Sequence, residues 1–232
     1  MSIFIKSPRF RSSAFYGVVK GLNLDPRLTA PFLFTTGTAP YFDQDSSTSW
    51  FLRQLKRAKN YVEFGSGGST YAAAQLGLNF VSKESDIRFC YSVRNTIERA
   101  GLARANQRVE HADIGITASW GFPAGLRQPN AKRLAKFDAY SDFPAFETAP
   151  DLVLIDGRFR VACFLKAIKA LQGATNSVIV FDDYEDRPYY QIVERFATKV
   201  QMVGRMAIFN PAPIADVGAL EQHIEEYRFD PR

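Results

Sequence analysis

Two acids flank a glycine-rich turn in the first half of the chain, and three more stand at the ends of later apolar runs. The stretch 61–70, YVEFGSGGST, is a short apolar strand that reaches an acid, Glu63, and enters the turn. A turn of this kind between a strand and a helix presents backbone N–H groups to a ligand. A nucleoside triphosphate needs GxxxxGK[ST]; no lysine follows this turn, so that ligand is excluded. A dinucleotide favours GxGxxG; Gly65 and Gly67 fit, but Thr70 occupies the third position and Glu63 sits poorly beside a pyrophosphate. A ligand carrying an ammonium or sulfonium fits better, because Glu63 attracts a cation and the glycines admit close backbone approach. Glu84 closes the next strand, with Asp86 as its near alternative; a dinucleotide site also has an acid there. Asp156 ends the run DLVLI, and Asp182-Asp183 end SVIVF. Carboxylates converging at neighbouring strand ends repel unless a cation or protons neutralise them. An all-oxygen set suits Mg²⁺. The plain alternative for Asp182-Asp183 is a cap and turn before a helix at Pro188.

The elements that must position these residues alternate. Strands are expected at 61–64, 79–83, 108–112, 151–155 and 177–181, with helices over 46–59, 70–76, 88–99 and 161–171 and after Pro188. Two short strands around Gly204 read as a hairpin, and 215–227 as a closing helix. The expected fold is α/β: a Rossmann-like, mostly parallel seven-stranded sheet with helices on both faces and a C-terminal antiparallel β-hairpin. Residues 1–45, with Pro8, Pro26, Pro31 and Pro40, read as a wrapping extension, and 46–232 as the domain. Residues 115–150 are too long for a connector and read as an insertion or lid.

Composition narrows the class. The 232 residues are 46% hydrophobic, enough for a packed core. No apolar run approaches the ~20 residues of a membrane helix. Cys90 and Cys163 lack metal spacing, which favours a reduced, cytoplasmic setting. The net charge of +5 gathers early: Lys6, Arg9, Arg11 and Lys20 precede the first acid, Asp25, and read as a solvated extension. No basic-aromatic stripe suggests a nucleic-acid groove. Oligomeric state is not legible. His111 reads as a core histidine and His223 as a surface one; Trp120, Phe122 and Tyr184 are either core or the lining of an acceptor pocket.

The pattern Glu63, Gly65, Gly67 with Ser69-Thr70 resembles the first motif of the class I S-adenosylmethionine-dependent methyltransferases, and the resemblance covers roughly residues 59–211, closing hairpin included. It implies that Glu63, Gly65, Ser66, Gly67, Ser69 and Thr70 hold S-adenosylmethionine. It also implies that Glu84 accepts the two ribose hydroxyls and that Asp113 meets the adenine amino group; Asp113 is equally well a turn-former. Asp156, Asp182 and Asp183 look like the metal ligands of cation-dependent O-methyltransferases of the catechol and sugar types, implying Mg²⁺ and in-line attack on the methyl group, with Asp156, Arg158 and Asp182 as catalytic residues. Gly157-Arg158-Phe159-Arg160 departs from relatives that place a lysine or histidine there. Arg158 or Arg160 can instead grip an acidic group such as a uronate or phosphate. The implied function is O-methylation of a small-molecule or saccharide hydroxyl. A catalytically silent S-adenosylmethionine-binding domain and an NAD-dependent oxidoreductase are the competing readings, the latter disfavoured by Glu63 and Thr70.

Overall fold

Seven strands make one sheet in the order β3-β2-β1-β4-β5-β7-β6. The computed structural model describes residues 25–33, 36–42, 44–125 and 130–232; the basic stretch with Lys6, Arg9, Arg11 and Lys20 lies outside the described residues. Strands β1 (Asn60–Phe64), β2 (Asn79–Glu84), β3 (Gln107–His111), β4 (Leu152–Ile155) and β5 (Val178–Phe181) pair in parallel. β7 (Met206–Asn210) runs antiparallel between β5 and β6 (Thr198–Val203), as the residues around Gly204 lead one to expect. The β6–β7 register slips between Lys199 and Gln201, and β6 forms one edge of the sheet.

Side-chain alternation splits the core in two. Val62, Phe64, Val153, Ile155, Ile179 and Phe181 face α5 (Ala131–Ser141), α6 (Arg160–Ala170) and α7 (Val217–Tyr227). Tyr61, Phe80, Leu152, Leu154 and Val180 face α2 (Asp45–Leu55), α3 (Gly68–Gln75) and α4 (Ile87–Arg99). Every residue of β4 is buried, as a continuous apolar run between two helical layers requires. Full burial of each large apolar side chain contributes about 1.5–3 kcal/mol. A further helix, α1 (Pro26–Leu33), packs on α4. No helix among the described residues is long and apolar enough to cross a membrane.

Several local expectations change. The segment Pro188–Arg195 is a 3₁₀ helix, and its buried residues Tyr190 and Val193 stand three apart, the period on which 3₁₀ side chains align. Helix α2 spans Asp45–Leu55, shorter than the expected 46–59, and its buried Ser47 donates to the Val203 carbonyl at 3.1 Å. Region 115–150 contains α5, whose Phe137 and Tyr140 belong to the core, so that helix is part of the domain's packing. His223 is buried against Phe196, with one ring nitrogen 2.7 Å from the Ala219 carbonyl and the other 3.1 Å from Arg195.

Candidate active site

The sheet order reverses direction between β1 and β4, and in open α/β sheets the crevice beyond such a point receives the ligand. The turn after β1 lies there. Gly65 has φ +100°, and a Cβ on it would stand 2.8 Å from the Gly157 backbone, so conformation and contact both demand glycine. Nothing lies within 4 Å of where a Cβ on Gly67 would be; that side of the turn is open. Gly68, the first residue of α3, is overlaid by the Ala39 carbonyl, which brings residues 36–42 across the start of the helix.

Glu63 is directed inward. Its carboxylate accepts from Tyr61 Oη at 2.6 Å, from Ser82 Oγ at 2.6 Å and from Thr70 Oγ1, and it is fully buried. Thr70 Oγ1 in turn accepts from the Gly67 N–H at 2.8 Å. Ser69 joins the same network beside Tyr61 and Glu63, and Ser66 Oγ is 2.6 Å from Ser82 Oγ. Burial pushes the Glu63 pKa up, and the surrounding hydroxyls partly offset this. Glu63, Ser69 and Thr70 therefore support the turn from beneath; the expected contact between Glu63 and a cationic ligand gives way to this enclosed network.

Glu84 is the acid that reaches the turn. Its Oε2 accepts from the Ser66 N–H at 3.1 Å and its Oε1 from the Asp86 N–H at 2.8 Å. Burial raises its pKa to about 7. Asp86, the alternative, caps α4 through the N–H groups of Arg88 and Phe89 and accepts from Thr117 Oγ1. The loop 117–123 closes on itself through a Thr117–Pro123 bridge and lies over this corner, where Ser85 Oγ donates to the Gly121 carbonyl at 3.3 Å. Asp113, past β3, accepts from the Gly115 N–H at 2.8 Å and pairs with Lys136 of α5. Desolvation is outweighed there, and Lys136 holds Asp113 below the usual carboxylate range.

Asp156, Asp182 and Asp183 do converge, with ligand oxygens within 4.8 Å of one another. Their number and hardness suit Mg²⁺. Their partners do not. Arg160, 3% exposed, donates to Asp156 Oδ1 at 3.2 Å, to Asp183 Oδ2 at 3.2 Å and to the carbonyls of Gly157 and Asp182. Arg205 lies 2.7 Å from Asp183 Oδ1 and 4.0 Å from Asp182 Oδ2, and Arg187 lies 2.9 Å from Asp183 Oδ2. Three guanidiniums thus already surround the three carboxyl groups, and a divalent ion would add positive charge with no acid left to offset it. Mg²⁺ does not fit this arrangement. Asp182 Oδ1 is buried without a hydrogen-bond partner, and desolvation, then the Asp183 charge, push the Asp182 pKa up; a proton suits that oxygen. Asp156 is pushed up too, by desolvation and then by Asp182, whereas Arg160, Arg187 and Arg205 overcome desolvation and hold Asp183 low. Asp183 also has φ +56° and Phe159 φ +53°, strained values that mark both strand-end loops.

No family profile and no curated protein matches the sequence. Among solved structures, a methyltransferase-like protein from Silicibacter pomeroyi is similar over 84% of this chain and 100% of its own, with 29% identity and a TM-score of 0.64. By fold, this chain belongs to the class I methyltransferase superfamily. An O-methyltransferase from Bacillus cereus in complex with SAH (19% identity, 90% and 93% of the two chains, TM-score 0.42) and an SAH-bound methyltransferase from Podospora anserina (13%, 91% and 99%, 0.44) are more distant.

In this methyltransferase-fold chain the sequence reading missed Arg187, Arg205 and Tyr140. Arg187 precedes Pro188 and Arg205 follows Gly204, so each sits in a turn beside the β5 end, and the charge demand of three acids is the signal that points to them. Tyr140 Oη accepts from the Arg158 N–H at 3.2 Å. Tyr184 turns out to be core, packed on Phe181 and Phe209, and Trp120 is exposed.

Proposed function

We propose that the chain transfers the methyl group of S-adenosylmethionine to a hydroxyl oxygen of a small molecule. The observation that carries this reading is the hydrogen bond from the Ser66 N–H to Glu84, which joins the acid of β2 to the turn of β1 at the point where the strand order reverses. A carboxylate there can accept two ribose hydroxyls, and the open face of Gly67 leaves room for the donor beside the turn. When bound, the donor supplies a methyl on a sulfonium: the acceptor oxygen–carbon bond forms as the carbon–sulfur bond breaks, and the electron pair stays on sulfur to give neutral S-adenosylhomocysteine.

The chain's own work is orientation and proton transfer. In this reading Asp113 meets the adenine amino group. Asp156, whose side chain is 36% exposed and whose affinity for protons is raised by burial and by the neighbouring Asp182, takes the acceptor hydroxyl proton. Arg160 keeps Asp156 in place, and no step needs Mg²⁺.

A thermal-shift panel tests this. S-adenosylhomocysteine at ~100 times its dissociation constant should add about 2.7 kcal/mol of stability, and NAD none. Asp156→Asn should keep that shift and lower methyl transfer by about a hundredfold. Stabilisation by NAD alone would return the oxidoreductase reading, and a shift without turnover on any hydroxyl acceptor would favour the silent binding domain.

A further inference from the structure

The acids and arginines at the ends of β4 and β5 do not pair off completely. Arg160, Arg187 and Arg205 make ion pairs with Asp156, Asp182 and Asp183, and a further guanidinium nearby makes none of these pairs. It belongs to Arg158, two residues beyond Asp156. Its Nε is buried with no hydrogen-bond partner, and Asp156 attracts it without forming a contact ion pair. The Phe122 ring, on the loop that also lies over Glu84, is 5.9 Å away.

The placement is held from two sides. The Arg158 N–H is tied to Tyr140 Oη of α5, and the following residue, Phe159, is fully buried with a left-handed φ of +53°. A strained backbone that persists is one the surroundings insist upon. Desolvation, then the nearby Arg160, lower the Arg158 pKa, so the charge is held at a cost that an anion would remove. The guanidinium fork matches a planar oxyanion through two parallel hydrogen bonds.

We propose that the acceptor of this site carries a carboxylate close to the hydroxyl that receives the methyl group, and that Arg158 binds that carboxylate while Phe122 covers its apolar side. The inference rests on the methyl-transfer reading for the role of the site, but not for the existence of the anion pocket. It separates Arg158 from Arg160, which is spent on the acid cluster and on backbone carbonyls. It also makes Arg158 a substrate-positioning residue.

The test is thermal unfolding of the parent, Arg158→Gln and Arg158→Lys, each saturated with S-adenosylhomocysteine, against millimolar benzoate, phenyl phosphate and benzyl alcohol. Benzoate should raise the parent's melting temperature and benzyl alcohol should not. Arg158→Gln should bind benzoate at least about tenfold more weakly, with its S-adenosylhomocysteine shift intact. Arg158→Lys, which keeps the charge and loses the fork, should fall between them and serves if the glutamine variant does not fold. An equal benzoate response in the variants, an equal response to benzyl alcohol, or no response to benzoate would overturn the proposal. A response to phenyl phosphate alone would also overturn it, by assigning the pocket to phosphate. If S-adenosylhomocysteine produces no shift in the parent, the methyl-transfer reading fails, and the benzoate arms, run without it, still decide the anion pocket.

Discussion

At Glu84 the needs of folding and of ligand binding oppose each other. Its pKa rises from 4.5 to about 7 because the folded chain encloses the carboxyl, so the folded state holds a proton that the unfolded state has released. The stability this group allows is therefore complete below pH 4.5 and declines as pH rises through about 7. At about 1.4 kcal/mol per unit, the decline is about 3 kcal/mol. Comparing the parent with Glu84→Gln by denaturant unfolding, the stability difference should move by about that amount in the variant's favour between pH about 4 and about 8. The same variant should lose most of its affinity for S-adenosylhomocysteine, since an amide cannot accept from both ribose hydroxyls and the Ser66 N–H. A pH-independent difference would mean that Glu84 titrates normally. Arg160 makes the converse case. Removing it as Arg160→Ala deprives Asp156 of its ion pair, leaves Asp183 with Arg187 and Arg205 alone, and should cost about 3 kcal/mol. Added Mg²⁺ should restore part of that loss in the variant and leave the parent unchanged. Strong stabilisation of the parent by Mg²⁺ would return the acids to metal binding.

On the scale of the element, the turn between β1 and α3 divides its glycines between folding and function. Gly65→Ala forces a side chain against Gly157 and a left-handed φ, and should cost about 2–4 kcal/mol. Gly67 has an extended φ of 174° and an open side, so Gly67→Ala should unfold within about 0.5 kcal/mol of the parent. Its S-adenosylhomocysteine affinity should nonetheless fall, because the methyl enters the space the ligand needs; calorimetric titration beside an unfolding curve reads both. The sequence showed this turn and its strand clearly, because glycine punctuation and apolar runs are local signals. It did not show which way Glu63 faces. That depends on Tyr61, Ser82 and Thr70 arriving from two strands and a helix, a convergence that no local pattern records. For the same reason the acids at 156, 182 and 183 were legible as a cluster, while the arginines that neutralise them were not: Arg187 and Arg205 come from separate turns.

Across the whole molecule, strand count, parallel pairing and the reversed hairpin all followed from the alternation of apolar segments, and the parallel pairing puts Glu84, Asp156 and Asp182 at the carboxyl ends of their strands. What alternation could not supply was helix type after Pro188 or the depth of α5, both set by packing against the finished sheet. The register slip in β6 has an outcome of a different kind. This strand lies on the rim of the sheet with Val200 and Met202 exposed, a surface on which a second chain could build a ladder. The irregularity between Lys199 and Gln201 breaks the even row of amide donors and carbonyl acceptors at the point where those apolar side chains begin. A single kink beside a lysine thus makes this rim a poorer template for a second chain, far from the chemistry and independent of any ligand.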